Sequence, residues 1–201
     1  MFGWGKKRDE SKRFVALNPI CAPIFLELAD DFTYKFSKRR MDLEFVFAPE
    51  AIIELDTEYN NCRAALQQIG VNELIDTASA QIVNSCLRDA DIYGQYDNPD
   101  LVGMSSATLY VRKIVFGIAP ASSSEETSET PNITIKLMLK IIKLLNAKTP
   151  NMFLSGVSVM FSLFGMKFAK ALNNKSLSDE FISLSGVANR QLKLMGSKNR
   201  I

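Results

Sequence analysis

The 201-residue chain contains no histidine. Histidine is the commonest general base and metal ligand, so its absence excludes His-assisted nucleophiles and every His-ligated metal site. The three cysteines, Cys21, Cys62 and Cys86, form an odd set without C-x-x-C spacing. That pattern argues against both a disulfide framework and a zinc ribbon, and it is typical of a protein in a reducing cytosol.

Targeting segments and long apolar runs are also missing. The N-terminus lacks the apolar core of a signal peptide, so we expect a cytoplasmic protein, with peripheral contact at a membrane as the alternative. The uncharged segment that follows Pro150, residues 151–166, is shorter than the roughly 20 residues of a spanning helix. The run predicts a buried helix first and a marginal membrane segment, over 151–172, second.

No phosphate-binding loop or nucleophile elbow is present, so we predict no cofactor and no catalytic residue. One segment resembles a twelve-residue calcium loop, with glycine at its sixth position. Its four carboxylates are Asp89, Asp91, Asp97 and Asp100. Tyr93 at the fifth position, and Asp in place of Glu at the twelfth, favour a polar turn, so a metal-dependent enzyme ranks only third among the hypotheses.

Charge divides the chain into regions of opposite sign. Residues 21–120 carry eight basic and fifteen acidic side chains, whereas residues 133–201 carry eleven basic and two acidic. Between them, residues 120–132 are rich in Ser, Thr, Glu and Pro, which predicts a mobile linker. We therefore divide the chain into a basic N-terminal tip (1–14), an acidic, mostly helical body (15–119), the linker (120–132) and a basic helical module (133–201).

The predicted fold is mainly α with a small β element, and an α+β arrangement is the alternative. Apolar residues at alternating spacings of three and four predict a helix over 50–69 and a second from an N-cap at Asn72 to about Arg88. With only two residues between them, these helices should form a hairpin near 50–88. Residues 23–38 fit either a helix or part of a strand pair, while 43–47 and 108–116 are rich in β-formers and predict strands.

Three helices are expected in the basic module: over 133–148, over the uncharged segment after Pro150, and over 179–195 with Ser176 or Ser178 as N-cap. The middle helix carries small residues on one face, which allows another backbone to approach closely. They are Ser155, Ser158, Ser162, Gly165 and Ala169. The favoured interpretation is that this face is buried inside the chain. The alternative is that it forms an interface with another copy in an oligomer.

Basic side chains in 133–201 are candidates for contact with an anionic partner. They are Lys136, Lys140, Lys143, Arg190 and Lys193. Pairing with the acidic body of the same chain is an equally weighted interpretation. Our leading hypothesis is a non-enzymatic structural or adaptor subunit of a larger assembly, which binds other subunits or itself through helices. The alternatives are a nucleic-acid-binding regulator and a peripheral membrane-binding, matrix-like assembly protein.

Overall fold

The computed structural model describes residues 18–38, 70–117 and 126–198. These residues form six helices and no strand. The helices are α1 (Cys21–Lys38), α2 (Val71–Tyr93), α3 (Pro99–Gly117), α4 (Glu126–Asn146), α5 (Met152–Ala171) and α6 (Lys175–Lys198). The mainly α prediction is therefore confirmed for this part of the chain.

Helix α5 lies at the centre of the fold and contacts each of the other five helices. Its closest neighbours are α3 and α6, and α2 packs mainly against α4. One hydrophobic core contains buried side chains from all six helices, so the acidic body and the basic module share it. The fully buried aromatic side chains of this core are Phe153, Phe161, Phe164, Phe168 and Phe181.

Helices α3 and α5 cross with their backbones in contact. A Cβ atom on Gly103 would collide with the carbonyl oxygen of Phe153, and one on Gly156 would collide with the carbonyl oxygen of Asp100. Each glycine therefore faces the backbone of the other helix, which is the close approach that small residues permit. This crossing fixes the distance between the acidic and basic parts of the chain.

Asparagine side chains begin three of the helices. Asn151 accepts a hydrogen bond from the Leu154 amide (2.7 Å) at the start of α5, and Asn174 accepts one from the Leu177 amide (3.1 Å) at the start of α6. Asn18, fully buried, accepts from the Cys21 amide and donates to the Val115 carbonyl and the Thr134 hydroxyl, both at 3.1 Å. It thereby joins α1 to α3 and α4, and both polar atoms of its side chain are hydrogen-bonded.

Several sequence predictions were wrong in detail. Residues 108–116 are helical, because α3 is buried against α5 and packing overrides their β propensity. Helix α2 begins after Gly70, so Asn72 is not its N-cap. The last helix begins at Lys175, because Asn173 adopts a left-handed conformation (φ 55°) and Asn174 caps it at once.

The structure describes part of the predicted linker and only the second helix of the predicted hairpin. Residues 126–132 belong to α4, where Thr130 and Pro131 are buried, so this part of the predicted linker is ordered helix. Residues 23–38 are helical, which rejects the strand alternative there. The helix over 50–69, the strand over 43–47 and the N-terminal tip lie outside the described residues.

Substitution of Gly103 by Ala should destabilise the protein by about 1–3 kcal/mol, because the added methyl group forces two backbones apart. The matched control is Gly186→Ala, at a helical position where the nearest side-chain atom would lie 3.9 Å from the new Cβ. That variant should be neutral or stabilised by up to about 1 kcal/mol. Urea denaturation of both proteins measures the difference, and equal stabilities would contradict the backbone contact.

Candidate interaction surfaces

The predicted calcium loop does not form. Asp89 and Asp91 lie in the last turns of α2, Asp97 lies in the turn that follows, and Asp100 lies in the first turn of α3. Successive helical residues point about 100° apart, so residues two apart point about 160° away from each other. The carboxylates of Asp89 and Asp91 therefore diverge instead of facing one cation. Among the described residues, no group of three or more His, Cys, Asp or Glu side chains could hold a metal ion.

Instead, Asp89 takes part in a partly buried contact between α2 and α3. Its carboxylate accepts a hydrogen bond from the Tyr110 hydroxyl at 2.5 Å. The Lys113 amine lies 5.6 Å from the centre of the Tyr110 ring, and Cys86 is fully buried on α2. Burial raises the pKa of Tyr110 far above its usual range, and the neighbouring Cys86 and Asp89 raise it further.

The two described cysteine thiols stay protonated at neutral pH. Burial raises the pKa of Cys21 to about 12, and burial together with the charge of Asp89 raises the pKa of Cys86 even higher. A nucleophilic cysteine needs the opposite shift and access to solvent. These thiols therefore act as small apolar side chains in the core.

The small-residue face of α5 is buried inside the chain. Ser155, Ser158, Ser162 and Ala169 are each at most 2% exposed. The Ser155 hydroxyl donates to the Gln191 side chain of α6 (3.2 Å), and a Cβ on Gly165 would collide with the Phe181 ring. At Ser155 and Gly165, this face packs against α6. By length and composition alone α5 could cross a membrane, but most of it is buried in the core.

The predicted anion-binding lysines of α4 divide into two groups. The Lys140 amine pairs with Asp76 of α2, and the Lys143 amine pairs with Glu180 of α6 at 2.7 Å. Lys136 is exposed and forms no ion pair with a described residue. Lys140 therefore pairs with the acidic body of the same chain, as the intramolecular interpretation predicts, whereas the Lys143 pair lies within the basic module.

A basic and apolar stripe lies on the solvent side of α6. Ile182 is 50% exposed and Leu194 is 66% exposed, with Arg190 and Lys193 exposed between them. Among the described residues, neither basic side chain forms an ion pair. We call Ile182, Arg190, Lys193 and Leu194 the α6 outer stripe. The sequence analysis identified Arg190 and Lys193 as candidates but not Ile182 and Leu194.

An acidic and apolar patch lies where α2 turns into α3. Ile92 is 53% exposed, and Tyr96 is 50% exposed although its ring packs edge-on against Tyr93. The exposed carboxylates of Asp91 and Asp97 adjoin them in sequence. We call Asp91, Ile92, Tyr96 and Asp97 the α2–α3 turn patch. The sequence analysis did not identify Ile92 and Tyr96. The signal that could have found them is the presence of two large apolar residues in an otherwise polar turn.

The chain was compared with protein-family models, curated proteins and solved structures, and none of them matches it.

Replacement of Tyr110 by Phe should reduce stability at pH 7 by about 1–3 kcal/mol, because Asp89 loses a donor. Unfolded tyrosine titrates near pH 10, whereas folded Tyr110 stays protonated. The wild-type protein should therefore lose stability above pH 10, so its advantage over Tyr110→Phe should narrow by about 1 kcal/mol between pH 9 and 11. Denaturation at both pH values checks this, and a constant difference would contradict the raised pKa.

Exchange of Lys140 and Asp76 should show whether their ion pair joins α4 to α2. Lys140→Glu places two carboxylates together and should cost more stability than Lys136→Glu, which changes charge on the same helix without a partner. The double variant Lys140→Glu/Asp76→Lys should recover about 0.5–1 kcal/mol of the loss. A double-mutant cycle by urea denaturation gives the coupling, and a value of zero would reject the pair.

Proposed function

We propose that this protein is a non-enzymatic assembly subunit or adaptor, which binds a partner protein through the α6 outer stripe. The observation that supports this proposal most directly is the exposure of Ile182 and Leu194 on the same side of a helix as Arg190 and Lys193. Exposed large apolar side chains beside arginine are typical of protein-binding surfaces.

The packing of α6 favours a protein partner over the two alternatives. An interfacial membrane helix needs a continuous apolar face, but Phe181 and Ala188 of α6 point into the core. Nucleic-acid binding depends mainly on phosphate neutralisation, and the apolar side chains at the two ends of the stripe contribute nothing to that. A partner protein can use both the charges and the apolar side chains.

The chemistry of the remaining described residues agrees with a binding role. The carboxylates that the sequence suggested for metal binding are dispersed or hydrogen-bonded, and the two thiols are buried and protonated. The six helices share one core, which gives a rigid support for a surface on α6. A rigid surface loses little conformational entropy when it binds.

In-cell cross-linking followed by purification from the cells that naturally make the protein tests this proposal. We expect stoichiometric protein partners with the wild-type chain and at least a tenfold loss with Ile182→Glu. Val71→Glu is the matched control, because Val71 is 44% exposed on α2, away from the stripe. Recovery of the chain cross-linked neither to another protein nor to a second copy of itself, or equal recovery of partners with all three proteins, would overturn the proposal.

A further inference from the structure

The α6 outer stripe and the α2–α3 turn patch have complementary chemistry. The stripe places Arg190 and Lys193 beside two exposed aliphatic side chains, and from Phe181 to the end of the chain the sequence contains no Asp or Glu. The patch places Asp91 and Asp97 beside Ile92 and Tyr96, and residues 89–100 contain no Lys or Arg. Each surface thus offers apolar contact area together with charge of the sign that the other lacks.

The two surfaces lie on opposite sides of the first turns of α5. On one side, the ring of Tyr93, next to the patch, stacks on Phe153 with 6.3 Å between ring centres. On the other side, Gln191, next to the stripe, contacts Ser155. Residues two apart on a helix point about 160° away from each other. The rigid core therefore keeps the stripe and the patch of one chain apart, and only a second molecule can bring them together.

We infer that the α2–α3 turn patch of one copy binds the α6 outer stripe of another. This inference rests on the proposed function and identifies the partner as a second copy of this chain. Arg190 and Lys193 face Asp91 and Asp97, while the aliphatic stripe residues pack on Ile92 and Tyr96. Because two different surfaces meet, the contact is head-to-tail, and copies joined by it form a closed ring or an open chain.

Charge complementarity on the same chain favours a second copy over another occupant. A membrane or a nucleic acid would satisfy Arg190 and Lys193 but would leave the patch, with its carboxylates, without a role. Association between copies uses both surfaces at once. It should weaken with salt, because the charged side chains are exposed and their attraction is screened.

Sedimentation of the full chain over a range of concentrations tests the inference with two charge-reversal variants. Arg190→Glu/Lys193→Glu makes both surfaces acidic, and Asp91→Lys/Asp97→Lys makes both basic. Each variant alone should associate at least tenfold more weakly than the wild type. An equimolar mixture should associate again, because every stripe then finds a patch of opposite charge.

The matched controls change the same number of charges elsewhere. Lys167→Glu/Lys170→Glu alters the exposed end of α5, and Glu27→Lys/Glu73→Lys alters exposed positions of α1 and α2. Both should associate like the wild type. Loss of association in these controls to the same extent would show a general effect of net charge and would overturn the inference.

Three further results would also reject it: a wild-type monomer at every concentration, undiminished association of either reversal variant, or failure of the mixture to associate. Binding of a monomeric wild-type chain to phosphatidylserine vesicles or to duplex DNA through Arg190 and Lys193 would assign the stripe to those partners and reject self-association. A monomer that still captures a different protein through Ile182 in the cross-linking experiment would reject this inference alone and leave the proposed function standing.

Discussion

The contact between the backbones of α3 and α5 is the constraint on which the rest of the structure depends. Gly103 and Gly156 each face a carbonyl group of the opposite helix, so neither position has room for a side chain. The crossing brings the N-terminal end of α3 against α5 and thereby places Tyr93 on Phe153. Because α6 then packs on another side of α5, the acidic patch and the basic stripe are held apart by the central helix.

The sequence predicts the helices that carry a wide apolar face better than it predicts those that pack through small residues. The helix over the second part of α4 follows from its many large apolar side chains, and the burial of α5 follows from its long uncharged run. In α3, the buried positions include Gly103, Ser106 and Ala107, so its buried face is not marked by large apolar residues alone. Local propensity then predicts a strand, and only the contact with α5 corrects it.

The candidate surfaces are predictable from the sequence only in part. Arg190 and Lys193 follow from charge alone, because nothing acidic lies near them in the sequence. Lys140 and Lys143 look equivalent to them, yet their partners, Asp76 and Glu180, are distant in the chain and become neighbours only in the folded state. Exposure of Ile182, Ile92 and Tyr96 likewise depends on which side of each helix the core covers.

Asn18 has a consequence for how the protein matures on the ribosome. Its side chain caps α1 and also binds Thr134, which lies 116 residues further along the chain. At a synthesis rate of about 5–20 residues per second, the hydroxyl that completes this network follows Asn18 by roughly 6–23 s. During that interval the Asn18 amide lacks its second acceptor, and the first helix completes its docking only when the fourth has left the exit tunnel. Helix α1 is thus the first of the described helices to be synthesised, but its contacts through Asn18 cannot be complete until Thr134 of α4 has been made.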